Sequence, residues 1–82
     1  MSPKNRKASQ QSLAELAYNL KRLRKARGYT QADLARRSGL PSRYISNIEQ
    51  ELKNVTFANL EALANGLDCS LYDLFVPVKR DQ

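Results

Sequence analysis

The chain has 82 residues, 41% of them apolar and 27% charged, which fits one small globular domain with little room for a second domain or a deep catalytic cleft. Cys69 is the only cysteine and there is no histidine, so an internal disulfide, a Cys/His zinc site and Ser-His-Asp or Cys-His catalysis are excluded. The formal net charge of +6 is uneven: eight Lys/Arg and one acid give +7 over residues 1–28, and six Lys/Arg against seven acids give −1 over residues 29–82, a polarity that suits a polyanion such as nucleic acid.

Residues 1–11 are polar and without period, and are expected to form a flexible basic N-terminal arm. Ser12 can cap a first helix, with Glu15 completing a capping box. Leu13, Leu16, Ala17, Leu20 and Leu23 follow at helical spacing, and Gly28 is placed to stop the run. Thr30 caps a second helix over about 31–37, with Asp33 as its box partner and Tyr29 and Leu34 at the staple positions. Ser38-Gly39-Leu40-Pro41 breaks the chain. A third helix runs from about Ser42 to Gln50, with Ile45, Ile48 and Leu52 on its inner face. Thr56 caps a fourth, whose stripe is Leu60, Leu63, Ala64 and Leu67, with Gly66 as its expected stop. Ser70 and Asp73 box a short fifth helix, Leu71 to Phe75, which Pro77 ends. No segment alternates as a strand does. The expected fold is all-α, a five-helix domain over residues 12–77, followed by a polar tail over 78–82.

Two short helices joined by a four-residue turn containing Gly make a helix-turn-helix. Ala35 is small enough for the crossing point, and Gly39 can take the left-handed conformation without steric cost. The outer face of the third helix carries Arg43, Ser46, Asn47 and Gln50 at i, i+3, i+4 and i+7. All four can hydrogen-bond and none is acidic. Such a stripe can enter a major groove, where Arg pairs with guanine and Asn with adenine through two hydrogen bonds each. Ser42, at the helix start, reaches bases or a phosphate. A merely solvated polar face would leave the adjacent turn and the basic charge unexplained.

Two charges border apolar stripes. Arg24 follows Leu20 by four residues, and Glu49 follows Ile45 by four. Each alone is costly to bury, so together they are expected to form a structural Arg24–Glu49 salt bridge between helices one and three.

The stretch Leu23-Arg24-Lys25-Ala26-Arg27-Gly28-Tyr29-Thr30-Gln31, then Leu34-Ala35, then Tyr44-Ile45-Ser46-Asn47-Ile48-Glu49, with Leu60, Leu63, Ala64 and Leu67, resembles the phage-repressor-like helix-turn-helix family, also called the xenobiotic-response-element family. The resemblance covers Leu16 to Phe75. It implies that Gln31 binds a phosphate and braces the recognition helix, that Ser42, Arg43 and Asn47 face bases, and that Lys53 and Asn54 touch backbone phosphate. Leu52-Lys53-Asn54-Val55-Thr56 with Leu60 is similar to restriction-modification controller proteins, which are small dimeric regulators of their own operon. Two positions depart from the family pattern. Pro41 stands where a capping Ser, Thr or Asp is common. Glu51 stands where Gly is common and brings negative charge near the expected phosphate path, with Lys53 as a compensating cation.

The expected function is sequence-specific binding of a palindromic operator in double-stranded DNA by a homodimer that regulates transcription. Dimers read two half-sites about one turn, ~34 Å, apart. Tyr72, Phe75 and Val76 are the expected dimer contacts, with Leu71 and Leu74 closing the monomer core. The alternative is an antitoxin or adaptor that uses this fold chiefly to bind a protein partner. An RNA-binding module would want exposed stacking aromatics, whereas Tyr18, Tyr29, Tyr44 and Tyr72 are scattered and Phe57 and Phe75 read as packed. No enzyme, metal or other cofactor site is visible. No membrane span or secretory signal is visible either, and a cytoplasmic location is expected.

Overall fold

Helix starts are decided by which hydroxyl can accept from the free N–H groups of the first turn. In the computed structural model, residues 9–52 and 55–78 are described. They form α1 (Gln10–Ala26), α2 (Gln31–Ser38), α3 (Ser42–Glu49), α4 (Phe57–Leu67) and α5 (Leu71–Phe75), with no strand among the described residues. The Thr30 and Ser70 side chains accept from the N–H groups of Asp33 and Asp73, whose carboxylates accept in return from the cap N–H groups. Thr56 caps α4 by accepting from the N–H of Asn59.

The start of α1 differs from the sequence expectation. Ser9, not Ser12, is the cap, and its Oγ accepts from the Ser12 N–H at 3.1 Å. Two cap-competent serines stand three residues apart, and the earlier one wins because Gln10 and Gln11 are good helix formers. Residues 10 and 11 therefore belong to the helix rather than to an arm.

The capping boxes set an acid limit. Hydrogen bonds from the Thr30 and Ser70 N–H and hydroxyl groups hold the Asp33 and Asp73 carboxyls below the ordinary aspartate value of 3.8. A depressed carboxylate contributes stability above its unfolded pKa and loses it as pH falls through the folded value. The melting temperature should thus hold from neutral pH down to about 5 and drop below about 4. An Asp33→Asn/Asp73→Asn variant should show a shallower acid drop in thermal melts across that range; an equally steep drop would clear both carboxylates.

The ends of α1, α3 and α4 follow one pattern. Gly28 (φ +74) ends α1, with the Tyr29 N–H donating to Arg24 O at 3.0 Å and the Gly28 N–H to Lys25 O at 2.9 Å, a Schellman closure. Glu51 (φ +63) closes α3 in the same way, with the Leu52 N–H donating to Asn47 O at 2.8 Å. Asp68 (φ +54) closes α4 through the Cys69 N–H and Ala64 O at 2.9 Å. Gly66 is thus no stop but an interior, buried residue of α4. A Cβ there would lie 3.1 Å from Leu34 Cδ1 and 3.2 Å from Ser38 Cβ, so Gly66 permits the close approach of α2.

A left-handed Glu51 strains the backbone by roughly 1–2 kcal/mol, against the ~0.5–1 kcal/mol by which glycine's extra freedom weakens a fold. Glu51→Gly should therefore raise stability by about 0.5–1 kcal/mol, a melting shift of a few degrees in a domain this size. A lower melting temperature would mean the Glu51 side chain contributes more than its backbone costs.

Leu16, Leu20, Leu34, Ile45, Ile48, Leu63, Leu67 and Leu74 form the buried core. α2 packs on α4 and α3; α1 packs on α5 and α3; α5 also touches α4. Two apolar expectations fail. Leu52 is 65% exposed and Phe57 63% exposed. The turn at Glu51 carries Leu52 off the face shared by Ile45 and Ile48, and Phe57 is the first residue of α4, in an exposed first turn (56–58) that lies ahead of the packed part of the helix. Every buried side-chain nitrogen and oxygen among the described residues has a partner.

Candidate nucleic-acid interface

The α2–α3 corner is built from local chemistry. Gly39 (φ +78) closes α2, the Ser38 Oγ accepts from the Leu40 N–H at 3.2 Å, and Pro41 leads into α3 in an extended conformation. Pro41 provides no side-chain cap; its carbonyl accepts from Tyr44 and Ile45. Ile45 and Ile48 lock one face of α3 into the core. The opposite face presents Ser42 and Arg43 exposed and Ser46 and Asn47 half-buried. Arg43 makes no hydrogen bond or ion pair among the described residues, so its guanidinium is free to meet an acceptor. The Ser46 Oγ accepts from Gln50 Nε2 at 3.0 Å, which holds those two side chains together on the same face.

Behind that face lies a charged brace. Arg24 Nε donates to Glu49 Oε2 at 2.7 Å and its Nη2 to Oε1 at 3.0 Å, while Nη1 donates to Tyr29 O at 2.9 Å. The side chains are 9% and 3% exposed. The hydrogen bonds to Glu49 raise the Arg24 pKa above its ordinary value, against the opposing effect of burial. Gln31, the first residue of α2, donates from Nε2 to Glu49 Oε1 at 3.0 Å. One carboxylate thus joins α1, α2 and α3. A second tie fixes α2 to α4: Arg37 Nε donates to Gly66 O at 2.7 Å, with the guanidinium 4.7 Å above the Tyr29 ring.

The HTH_3 helix-turn-helix family matches residues 20–74, which span all of the corner and brace just described. The chain belongs to the helix-turn-helix family. The curated relatives it matches are named as a transcription factor and a transcriptional regulator. A hypothetical transcription factor of Neisseria meningitidis serogroup B is 38% identical over 78% of this chain, which spans 60% of that relative's length. The crystal structure of the restriction-modification controller protein C.AhdI from Aeromonas hydrophila superposes with a TM-score of 0.74 at 36% identity, covering 77% of this chain and 96% of that one. The controller protein C.Esp1396I, a tetramer in complex with its natural 35 base-pair operator, gives 0.72 at 34% identity, covering 78% and 88%.

Within this helix-turn-helix chain the structure brings Gln31, Ser42, Arg43, Ser46 and Asn47 onto the two helices of the motif. Lys53 and Asn54 lie outside the described residues. Tyr72, on α5, is 69% exposed, whereas Phe75 and Val76 are half-buried and Phe75 packs against the core. Cys69 is half-buried against the core, and burial, with Asp73 nearby, pushes its thiol pKa up, so the sulfur stays protonated. No group of His, Cys, Asp or Glu that could hold a metal occurs among the described residues, and no helix among them is long and apolar enough to cross a membrane.

Sequence reasoning missed Asn19. It is buried on α1, donating from Nδ2 to the carbonyls of Leu74 and Val76 and accepting from Arg22 at Oδ1. The signal was there: Asn19 follows Leu16 by three and precedes Leu23 by four, a polar residue on an apolar stripe. The Tyr44 hydroxyl, which accepts from Asn59 Nδ2 at 2.9 Å, carried no comparable signal, because nothing in the sequence places α4 beside it.

Proposed function

We propose that the chain is a homodimeric transcription regulator that binds a palindromic operator in duplex DNA, α3 of each protomer lying in the major groove of one half-site. The observation that carries this is the free Arg43 beside Ser42, Ser46 and Asn47, on the outer face of a helix whose inner face is fixed in the core. Arg43 and Asn47 supply paired donors and acceptors for guanine and adenine edges, with Ser42 and Ser46 beside them. Gln31 spends one amide proton on Glu49 and keeps the other for a phosphate at the start of α2. Lys53 and Asn54 extend the phosphate path by resemblance. The operator-bound tetramer of C.Esp1396I supports this reading, and the likeness to two controller proteins supports a role in controlling a restriction-modification operon.

A single α3 reads only a few base pairs, so affinity for one site requires two copies. Exposed Tyr72 and half-buried Phe75 of α5, with Val76 directly after it, form the proposed two-fold contact. Selection of binding sites from random duplex DNA tests the whole reading. Enrichment of an inverted repeat with centres about one turn, ~34 Å, apart is the expected result; an asymmetric site or no enrichment would reject the dimer on a palindrome. Lys53→Ala should make the dependence of log K on log salt shallower by about 0.9 for each phosphate that Lys53 neutralises. An unchanged slope removes Lys53 from the phosphate set.

A further inference from the structure

We infer that Asn19 is a positioning residue for the α5 edge, and that α1 is the strut holding that edge at a fixed distance from the reading face of α3. The inference rests on the reading that α5 forms the dimer contact. Asn19 is 1% exposed, among Leu16, Ala17 and Leu20. Its Nδ2 donates to Leu74 O at 3.2 Å and to Val76 O at 3.0 Å, and its Oδ1 accepts from Arg22 Nη2 at 2.9 Å. Both donors of the amide are thus used on main chain at the far end of another helix.

A five-residue helix leaves its last carbonyls without donors of its own. Pro77 has no N–H to offer them. Asn19 supplies donors to two carbonyls at this end, those of Leu74 and Val76, one on each side of Phe75. Val76 leaves the helix there at φ −56, ψ 131, so the two pinned carbonyls fix the directions of Phe75 and Val76. A leucine would fill the same volume and suit the surrounding stripe better, since a buried amide costs free energy unless every valence is met. What leucine lacks is the pair of donors.

Five residues along the same helix, a rise of about 7.5 Å, Arg24 grips Glu49 of α3 at 2.7 Å. α3 packs on α1 and α2, and α5 on α1 and α4, so α1 is the element common to both. In a two-fold dimer the distance from the α5 edge to α3, taken twice, sets the separation of the two reading helices. That separation must match about one turn of DNA.

The test uses Asn19→Leu in the full chain, with Asn19→Asp beside it; the aspartate keeps the shape and the Arg22 partner but has no N–H. Sedimentation equilibrium gives the dimer dissociation constant, and titration of duplexes gives binding to an isolated half-site and to operators whose half-site spacing is changed by one base pair. In either variant that folds, the dimer constant should rise about tenfold or more, the size of one or two missing buried hydrogen bonds. Half-site binding should stay within about twofold, as for a site whose own residues are untouched. The penalty for altered spacing should shrink. Equal losses on half-site and full operator, or an unchanged dimer constant with a lower melting temperature, would make Asn19 a core residue only. A wild-type chain that stays monomeric at every concentration would remove the dimer reading itself, and this inference with it.

Discussion

Glu49→Ala should cost about 3–5 kcal/mol of folding stability, the usual effect of removing one member of a buried ion pair. The Arg24 and Glu49 side chains are 9% and 3% exposed and share two hydrogen bonds of 2.7 and 3.0 Å. Without Glu49, the Arg24 charge keeps only the Tyr29 carbonyl, and the Gln31 amide loses its partner. A domain of this length is stable by roughly 4–12 kcal/mol in all, so the variant stands near the edge of folding. Its melting temperature should fall by at least about 12–24 °C, taking the lower bound of the loss. Far-UV circular dichroism against temperature measures this directly. A fall of only a few degrees would mean that water reaches the pair and supports Arg24 unaided.

The same pair separates stability from positioning. Replacing both partners by apolar residues of like shape, Arg24→Met/Glu49→Leu, leaves no buried charge and should restore most or all of the lost stability. It cannot restore the acceptor for Gln31. That double variant should fold, yet bind the operator more weakly than the wild type. Recovery of full affinity would show that Gln31 needs no brace.

What the sequence disclosed was the part written in local chemistry. Thr30 with Asp33 and Ser70 with Asp73 announce helix starts because capping depends on residues three apart. Arg24 and Glu49 could be paired because each is a charge on the border of an apolar stripe, and two such misfits on neighbouring helices relieve one another. The corner at Gly39 was readable because glycine takes a left-handed turn at no steric cost. Gly66 misled for the same reason: the residue that ends α1 and α2 sits inside α4, where its missing Cβ lets Leu34 and Ser38 approach. Asp68 carries the left-handed turn instead, and no sequence rule separates these two uses of glycine without knowing which helices cross. Leu52 and Phe57 were misplaced because hydrophobicity alone does not say which way Leu52 leaves the turn at Glu51, or that the first turn of α4 stands ahead of the core. The reading face of α3 was legible in composition, while the Glu49 contact that orders Gln31 behind it depends on three helices meeting.

Arg43→Ala carries the largest expected effect on recognition. Arg43 is exposed and makes no hydrogen bond or ion pair among the described residues, so the variant should melt within about 0.5 kcal/mol of the wild type. A bidentate arginine–guanine contact discriminates by ~1–3 kcal/mol. A two-fold dimer makes it twice, so the operator should lose about 2–6 kcal/mol, from roughly thirtyfold to about 10⁴-fold in affinity. Random duplex, which the protein grips through phosphates, should lose far less, because one charge of many has gone. The measured quantity is therefore the ratio of operator to random-duplex affinity at one salt concentration. Arg43→Lys sharpens the test. Lysine keeps the charge but not the planar fork, so binding to random duplex should stay near wild type while the ratio collapses almost as far as in the alanine variant. Should lysine preserve the ratio, or should alanine weaken both duplexes equally, Arg43 would be acting as a charge near the backbone and sequence would be read elsewhere on α3.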